Sequence, residues 1–223
     1  MTANDEDGWA TLTWNYLPKY DDNFAIAGFD RTHMFSLGWV YELPFLKGRT
    51  DAMGTILGGW QLNGVAAWFT GTPYSIGGTN NAMACQGCGS ILINYNGDPK
   101  VIGNAGNLPP AGTTDYSSYT YYDKSLFSQP SGLDVAGFGN TKRNFFRRPA
   151  QWNVDFSMFK AFPIGRFRPE FRLSVLNLFN TRNWGAPNTS FTSPLFLTYS
   201  PGSVDTTATL GYRRMELGFR FQF

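Results

Sequence analysis

Cys85 and Cys88 are the two cysteines of the 223-residue chain, and they stand as Cys-x-x-Cys. That spacing can serve half of a tetrahedral zinc site, a thioredoxin-like redox pair or a short disulfide loop. Zinc needs four ligands; with one histidine, His33, remote in sequence and no further cysteine, the set is incomplete. The redox motif needs a strand-to-helix setting that the surrounding residues do not offer. A disulfide in an oxidising compartment suits the pair best, with two ordinary thiols as the alternative.

The remaining chemical candidates read more simply as structure. His33 would have to serve any Ser-His-Asp or Cys-His site, but it lies in Asp30-Arg31-Thr32-His33 at a strand start, where a hydrogen bond from loop to strand accounts for it. Asp155, Glu170, Glu216, Arg168, Arg172 and Arg220 fall on the polar faces of neighbouring strands, where opposite charges form cross-strand pairs. No catalytic residue, metal ligand or cofactor site is expected. The glycines of Gly137-Phe138-Gly139-Asn140 do not cradle a phosphate, because no helical pattern follows them. Tyr116, Tyr119, Tyr121 and Tyr122 crowd one polar segment and could offer rigid area and hydroxyls to a glycan or peptide; packing within the loop is the competing reading.

Strands must position all of these groups. From Arg214 to the end the chain alternates strictly: Met215, Leu217, Phe219, Phe221 and Phe223 on one side, Arg214, Glu216, Gly218, Arg220 and Gln222 on the other. Similar alternation runs from about Trp9 to Leu17, His33 to Phe45, Trp60 to Tyr74 (weaker), Trp152 to Met158 and Phe167 to Val175. These are about six strands, each near the roughly 9–11 residues that cross a bilayer. On the oily side stand Phe35, Leu37, Trp39, Tyr41, Trp152, Val154, Phe156, Met158, Phe171 and Leu173, with Lys160 as the one cation, near a strand end from which it can snorkel.

Aromatic residues make up 17% of the chain and charged residues only 15%, yet the mean hydropathy is −0.27 because polar faces and loops offset the oily ones. No run approaches the roughly 18 apolar residues of a membrane helix. A net charge of +2 with scattered basic residues gives no reason to expect a nucleic acid partner. The start, Met1 to Asp7, is acidic and polar, unlike a signal peptide, which leads to the expectation of a soluble chain or a fragment. The short turn Pro163-Ile164-Gly165-Arg166 contrasts with long Gly-, Pro- and Ser-rich stretches, about Ile76 to Ala150 and Thr181 to Tyr212, that lack periodicity. Short turns on one side and long loops outside are the pattern of outer-membrane barrels. The Leu46 to Gly59 linker is long for such a turn.

Several segments resemble a known family. Phe29-Asp30-Arg31-Thr32-His33-Met34 leading to Tyr41-Glu42-Leu43-Pro44-Phe45, then Gly58-Gly59-Trp60-Gln61-Leu62-Asn63-Gly64 and Thr70-Gly71-Thr72-Pro73-Tyr74, are similar to Oar-like (carboxypeptidase-regulatory-domain) TonB-dependent receptors. The likeness continues, in order, through Gly139-Asn140-Thr141-Lys142-Arg143-Asn144, Asn153 to Lys160, Phe171 to Asn180 and Asn183 to Asn188. It implies an all-β, antiparallel sheet of about six curved strands, residues 1–223 forming the C-terminal part of a barrel of roughly 22 strands, without plug domain or signal peptide. It also implies a Gram-negative outer membrane and transport of a large or scarce substrate (glycan, peptide or chelate) rather than enzymatic activity. The expected partners are membrane lipid, the rest of the barrel and its plug, TonB through N-terminal parts, and the barrel-assembly machinery, which would read Leu217, Phe219, Phe221 and Phe223. A soluble β-sandwich that binds carbohydrate is the alternative.

Overall fold

The computed structural model describes residues 21, 24–46, 48–49, 51–78, 91–98, 103–110, 112–131, 138–205 and 211–222. The chain divides into two compact units. One, the wall, comprises His33–Phe69, Gln151–Asn183 and Asp205–Phe223; the other comprises Met1–Thr32, Thr70–Ala150 and Trp184–Val204.

The wall is a five-stranded sheet of β1 (Met34–Glu42), β2 (Trp60–Phe69), β3 (Gln151–Ala161), β4 (Arg168–Leu176) and β5 (Arg214–Gln222). Spatial order equals chain order and every pairing is antiparallel. Five of the expected strands therefore form, while Trp9 to Leu17 lies outside the described residues. The register carries one parity across all five: Phe35 faces Trp68, Tyr41 faces Leu62, Leu62 faces Met158, and Phe171 faces both Lys160 and Phe219. A slip of one residue in β3, β4 or β5 would put charges among these side chains. β3 and β4 join through a two-residue turn in which Ile164 and Phe167 exchange backbone hydrogen bonds, and Gly165 adopts the φ of +60° that a type II′ turn requires at its first central position.

Two expectations need correction. The third strand ends at Phe69 instead of reaching Tyr74, because Thr70-Gly71-Thr72 breaks it; Pro73–Tyr74 pairs instead with Phe146–Arg147. Gly71 is fixed by close approach, since a Cβ there would lie 1.8 Å from the Arg148 carbonyl oxygen. The linker from Leu46 to Gly59 is not an oversized turn but a folded element. It holds helix α1 (Ala52–Leu57), whose first turn is capped by the Asp51 carboxylate accepting from Gly54 N at 3.0 Å.

The aperiodic stretches expected to be long loops build the second unit. Its described ladders are two residues long, among them Gly77–Gly78 with Ile91–Leu92 and Asn94–Tyr95 with Phe127–Ser128. Around them Tyr74, Ile76, Ile93, Tyr95, Tyr121, Tyr122, Phe127, Phe146, Trp184, Phe196, Leu197 and Tyr199 form one buried cluster. The rings meet edge-on or tilted, as their quadrupoles favour: Tyr95 lies 5.0 Å from Phe127 and 5.4 Å from Phe146, and Tyr122 lies 5.4 Å from Phe146.

This core carries a pH dependence. Burial pushes the hydroxyls of Tyr74, Tyr121, Tyr122 and Tyr199 above the usual tyrosine value. The folded unit thus keeps protons that the unfolded chain releases near pH 10, so its stability is complete below about pH 10 and falls as pH rises beyond it. We expect tyrosinate absorbance and protease sensitivity of this unit to rise together in alkali. Smooth titration near pH 10 with no loss of protease resistance would show the rings to be open to solvent.

Candidate functional site: a wall with two chemistries

One face of the wall is apolar on every strand. Met215, Leu217, Phe219 and Phe221 of β5 are 67–74% exposed in the isolated chain, while buried core residues such as Ile93 and Leu197 show none of their surface. Phe171 joins the row by edge-on contact with Phe219 at 5.3 Å and Trp60 at 6.3 Å. Across β1 and β2 the indole of Trp39 lies over Gly64, where a Cβ would meet the ring at 2.0 Å. The one cation of this face, Lys160, is buried, and its ammonium donates to the Gly58 carbonyl.

The same register gathers the opposite chemistry on the other face. Gln61 and Asn63 of β2, Asp155 and Ser157 of β3, Glu170, Arg172 and Ser174 of β4, and Glu216 and Arg220 of β5 share it. Glu170 stands directly opposite Arg220, as expected of cross-strand charges, while ion pairs of 2.6 Å join Arg49 to Asp51 and Arg147 to Asp30. Ser157 and Ser174 bond across the strands at 3.1 Å, and the Arg172 guanidinium lies 4.6 Å from the Phe159 ring centre. A shallow groove of about 390 Å³ runs along Asn63, Val65, Asp155, Ser157, Phe159 and Arg172. It offers donors, acceptors and both signs of charge to a polar solute or polar protein surface. Asp155 is already engaged: its Oδ1 accepts from Asn153 Nδ2 and from Asn177 N, both at 2.8 Å.

The other candidates scatter. Tyr121 and Tyr122 are core residues, and the Tyr122 hydroxyl donates to the Arg147 carbonyl at 3.0 Å, so those two rings pack instead of presenting a surface. Tyr116 and Tyr119 are half-buried, Tyr116 resting 6.1 Å from Trp184. His33 is exposed immediately before β1. Cys85, Cys88 and Phe223 lie outside the described residues.

Sequence reasoning missed a recurring fastener. Asn140, Asn177 and Asn183 each turn a side-chain amide onto the backbone of one other residue, accepting its N–H and donating to its carbonyl. Asn140 does so to Tyr95 at 2.7 and 3.0 Å, Asn177 to Thr181 at 2.8 and 3.0 Å, and Asn183 to Trp152 at 2.9 and 3.0 Å. Removing such an amide leaves two backbone groups unpaired, about 1–3 kcal/mol for each that is buried. Asn177 and Asn144 also take φ near +55°, where asparagine is tolerated better than most residues. Glycine or asparagine recurring in otherwise polar motifs was the available signal.

The two faces yield a direct test. Phe171→Arg, on the apolar face, should cost about 2–4 kcal/mol in a membrane, whereas Ser157→Arg on the charged face should cost far less. Denaturant titration of the folded, heat-modifiable form in lipid compares them. Equal losses would mean that both faces are buried in protein.

A family model described as an outer membrane beta barrel domain matches residues 2–215, nearly the whole chain. Searches of curated proteins and of solved structures return no match. An apolar sheet face of unbroken parity backed by a charged one is what a membrane barrel requires, with lipid outside and water within. The chain belongs to the outer membrane β-barrel domain family, and its place is the outer membrane of a Gram-negative bacterium.

Proposed function

We propose that the chain forms the C-terminal wall of a TonB-dependent outer-membrane receptor that takes up a large or scarce solute such as a glycan, peptide or metal chelate. The observation that carries this reading is the separation of chemistries across the sheet: one face is lipid-compatible on all five strands, and the other bears the groove and carries its charges on β3, β4 and β5, with Glu42 on β1. The ordered motif resemblance to Oar-like receptors supports it further. In this reading the charged face serves the solute or a plug, the chain is not an enzyme, and TonB acts through parts N-terminal to the wall. The barrel-assembly machinery would read Leu217, Phe219, Phe221 and Phe223. Five described strands are fewer than the roughly eight of the smallest outer-membrane barrels, and β1 and β5 each have one neighbour among the described residues, so further strands complete the wall. The soluble carbohydrate-binding sandwich is set aside: it needs a second sheet over the apolar face, whereas the wall is one sheet of a membrane-barrel family.

Two experiments bear on the proposal. In a Cys85→Ser/Cys88→Ser background, a membrane-impermeant thiol reagent on intact cells should label Ser118→Cys in the second unit and spare Arg166→Cys in the β3–β4 turn. Arg166 is the better turn probe because Gly165 needs its positive φ. Labelling of Arg166→Cys on intact cells would reverse the orientation. Cross-linking in living cells should join the receptor carrying this wall to TonB. Recovery of the folded receptor without TonB would overturn the energy coupling.

A further inference from the structure

At the end of the wall where β3 turns into β4 lies a cavity of about 390 Å³, separate from the charged groove. Three cations line it at the strand ends, where the two faces meet: Arg49 from the linker, Lys160 from the apolar face of β3 and Arg168 from the polar face of β4, together with Leu46, Gly58 and Pro163. No carboxylate is among its described lining residues. The nearest acids are committed or turned aside. Asp51 caps α1 and holds Arg49 through Nε at 3.1 Å and Nη2 at 2.6 Å, which leaves Nη1 of Arg49 as its remaining donor group, and Glu170 lines the neighbouring recess beside Gln61 and Phe159.

The cavity is built by the linker. A Cβ on Gly54 would lie 2.4 Å from the Arg49 carbonyl oxygen and one on Gly58 would lie 2.8 Å from that of Leu46, so both glycines are needed to fold the segment this tightly. The folded linker brings the Gly58 carbonyl to Lys160, which occupies one of the three ammonium donors and leaves two. Trp60 stands opposite Lys160 in the register and starts an aromatic row through Phe171 to Phe219 on the apolar face. Basic groups thus meet a hydrocarbon-facing aromatic stripe at a strand end, the depth at which tryptophan and snorkelling lysine sit in membranes.

We propose that this rim cavity binds the headgroup phosphate of an anionic phospholipid, whose acyl chains lie along Trp60, Phe171 and Phe219. The charge selects the phosphate, and the adjoining stripe selects a lipid over a free anion. The inference rests on the membrane placement of the wall and not on TonB coupling.

Native mass spectrometry of the complete barrel carrying this wall, extracted from outer membranes in mild detergent, tests it with dioleoylphosphatidylglycerol, dioleoylphosphatidylcholine and inorganic phosphate as probes. One phosphatidylglycerol should be retained in preference to phosphatidylcholine and should resist excess inorganic phosphate. Arg49→Gln/Arg168→Gln should weaken retention about 30-fold, at a factor of roughly five for each basic group near an anionic headgroup, and Arg49→Lys/Arg168→Lys should keep most of it. Unchanged retention in the glutamine variant overturns the site, and displacement by inorganic phosphate overturns the lipid assignment. If the glutamine variant fails to fold, the unaltered protein decides: equal retention of the two lipids overturns the proposal.

Discussion

Backbone hydrogen bonding in hydrocarbon constrains the wall more than any single side chain does. An N–H or C=O facing lipid has no water to turn to, so each must find a partner on a neighbouring strand. Antiparallel pairing between consecutive strands satisfies that demand with the shortest connections, and it fixes the alternation of side chains at the same time. Once the ladder is complete, each residue's face is decided by parity alone. Lipid compatibility and the charged groove are therefore two outcomes of one register, as Phe171 against Phe219 and Glu170 against Arg220 show on the same strand pair.

The second unit solves a different problem. Among the described residues its ladders are two residues long, too short for strand pairing to supply its cohesion. A buried aromatic cluster supplies it, and side-chain amides close backbone groups that no strand reaches. Asn140 on Tyr95 replaces a missing strand neighbour with one side chain, and Thr141 Oγ1 adds a bond to the Ile93 carbonyl at 2.7 Å. The wall uses the same device where β3 starts, through Asn183 on Trp152. Asparagine suits both places because its amide carries a donor and an acceptor in the spacing of a peptide group.

These two solutions explain what the amino-acid sequence disclosed. In the wall the signal is local and periodic: a run such as Met215 to Phe221 announces its strand, its face and its neighbours' faces. The apolar set read from alternation is the set that the register assembles, down to Lys160 as the single cation. In the second unit the buried residues sit at irregular intervals, and no period marks Tyr121, Tyr122, Phe146 and Phe196 as neighbours. Composition alone left the tyrosines open to two readings, a ligand surface or loop packing, and two of the four are core. The boundary at Phe69 was hidden for a related reason, because Pro73 and Tyr74 extend the alternation while belonging to another ladder.

The linker between β1 and β2 shows how one departure from parity shapes a neighbouring segment. A cation at the end of a lipid-facing strand must find its acceptors at the interface, within the reach of its own side chain. Lys160 lies one residue from the end of β3, and the nearest backbone that can supply an acceptor is the entry to β2, whose first residue, Trp60, faces it. A minimal turn between β1 and β2 would keep its carbonyls within its own hydrogen bonds. A longer segment wound into one capped helical turn frees the Gly58 carbonyl, because the N–H of Gly58 closes the helix onto Gly54 while its carbonyl points to the ammonium. The Leu46 to Gly59 linker, with the glycines that let it fold tightly, thus supplies the acceptor that the lysine on the oily face uses.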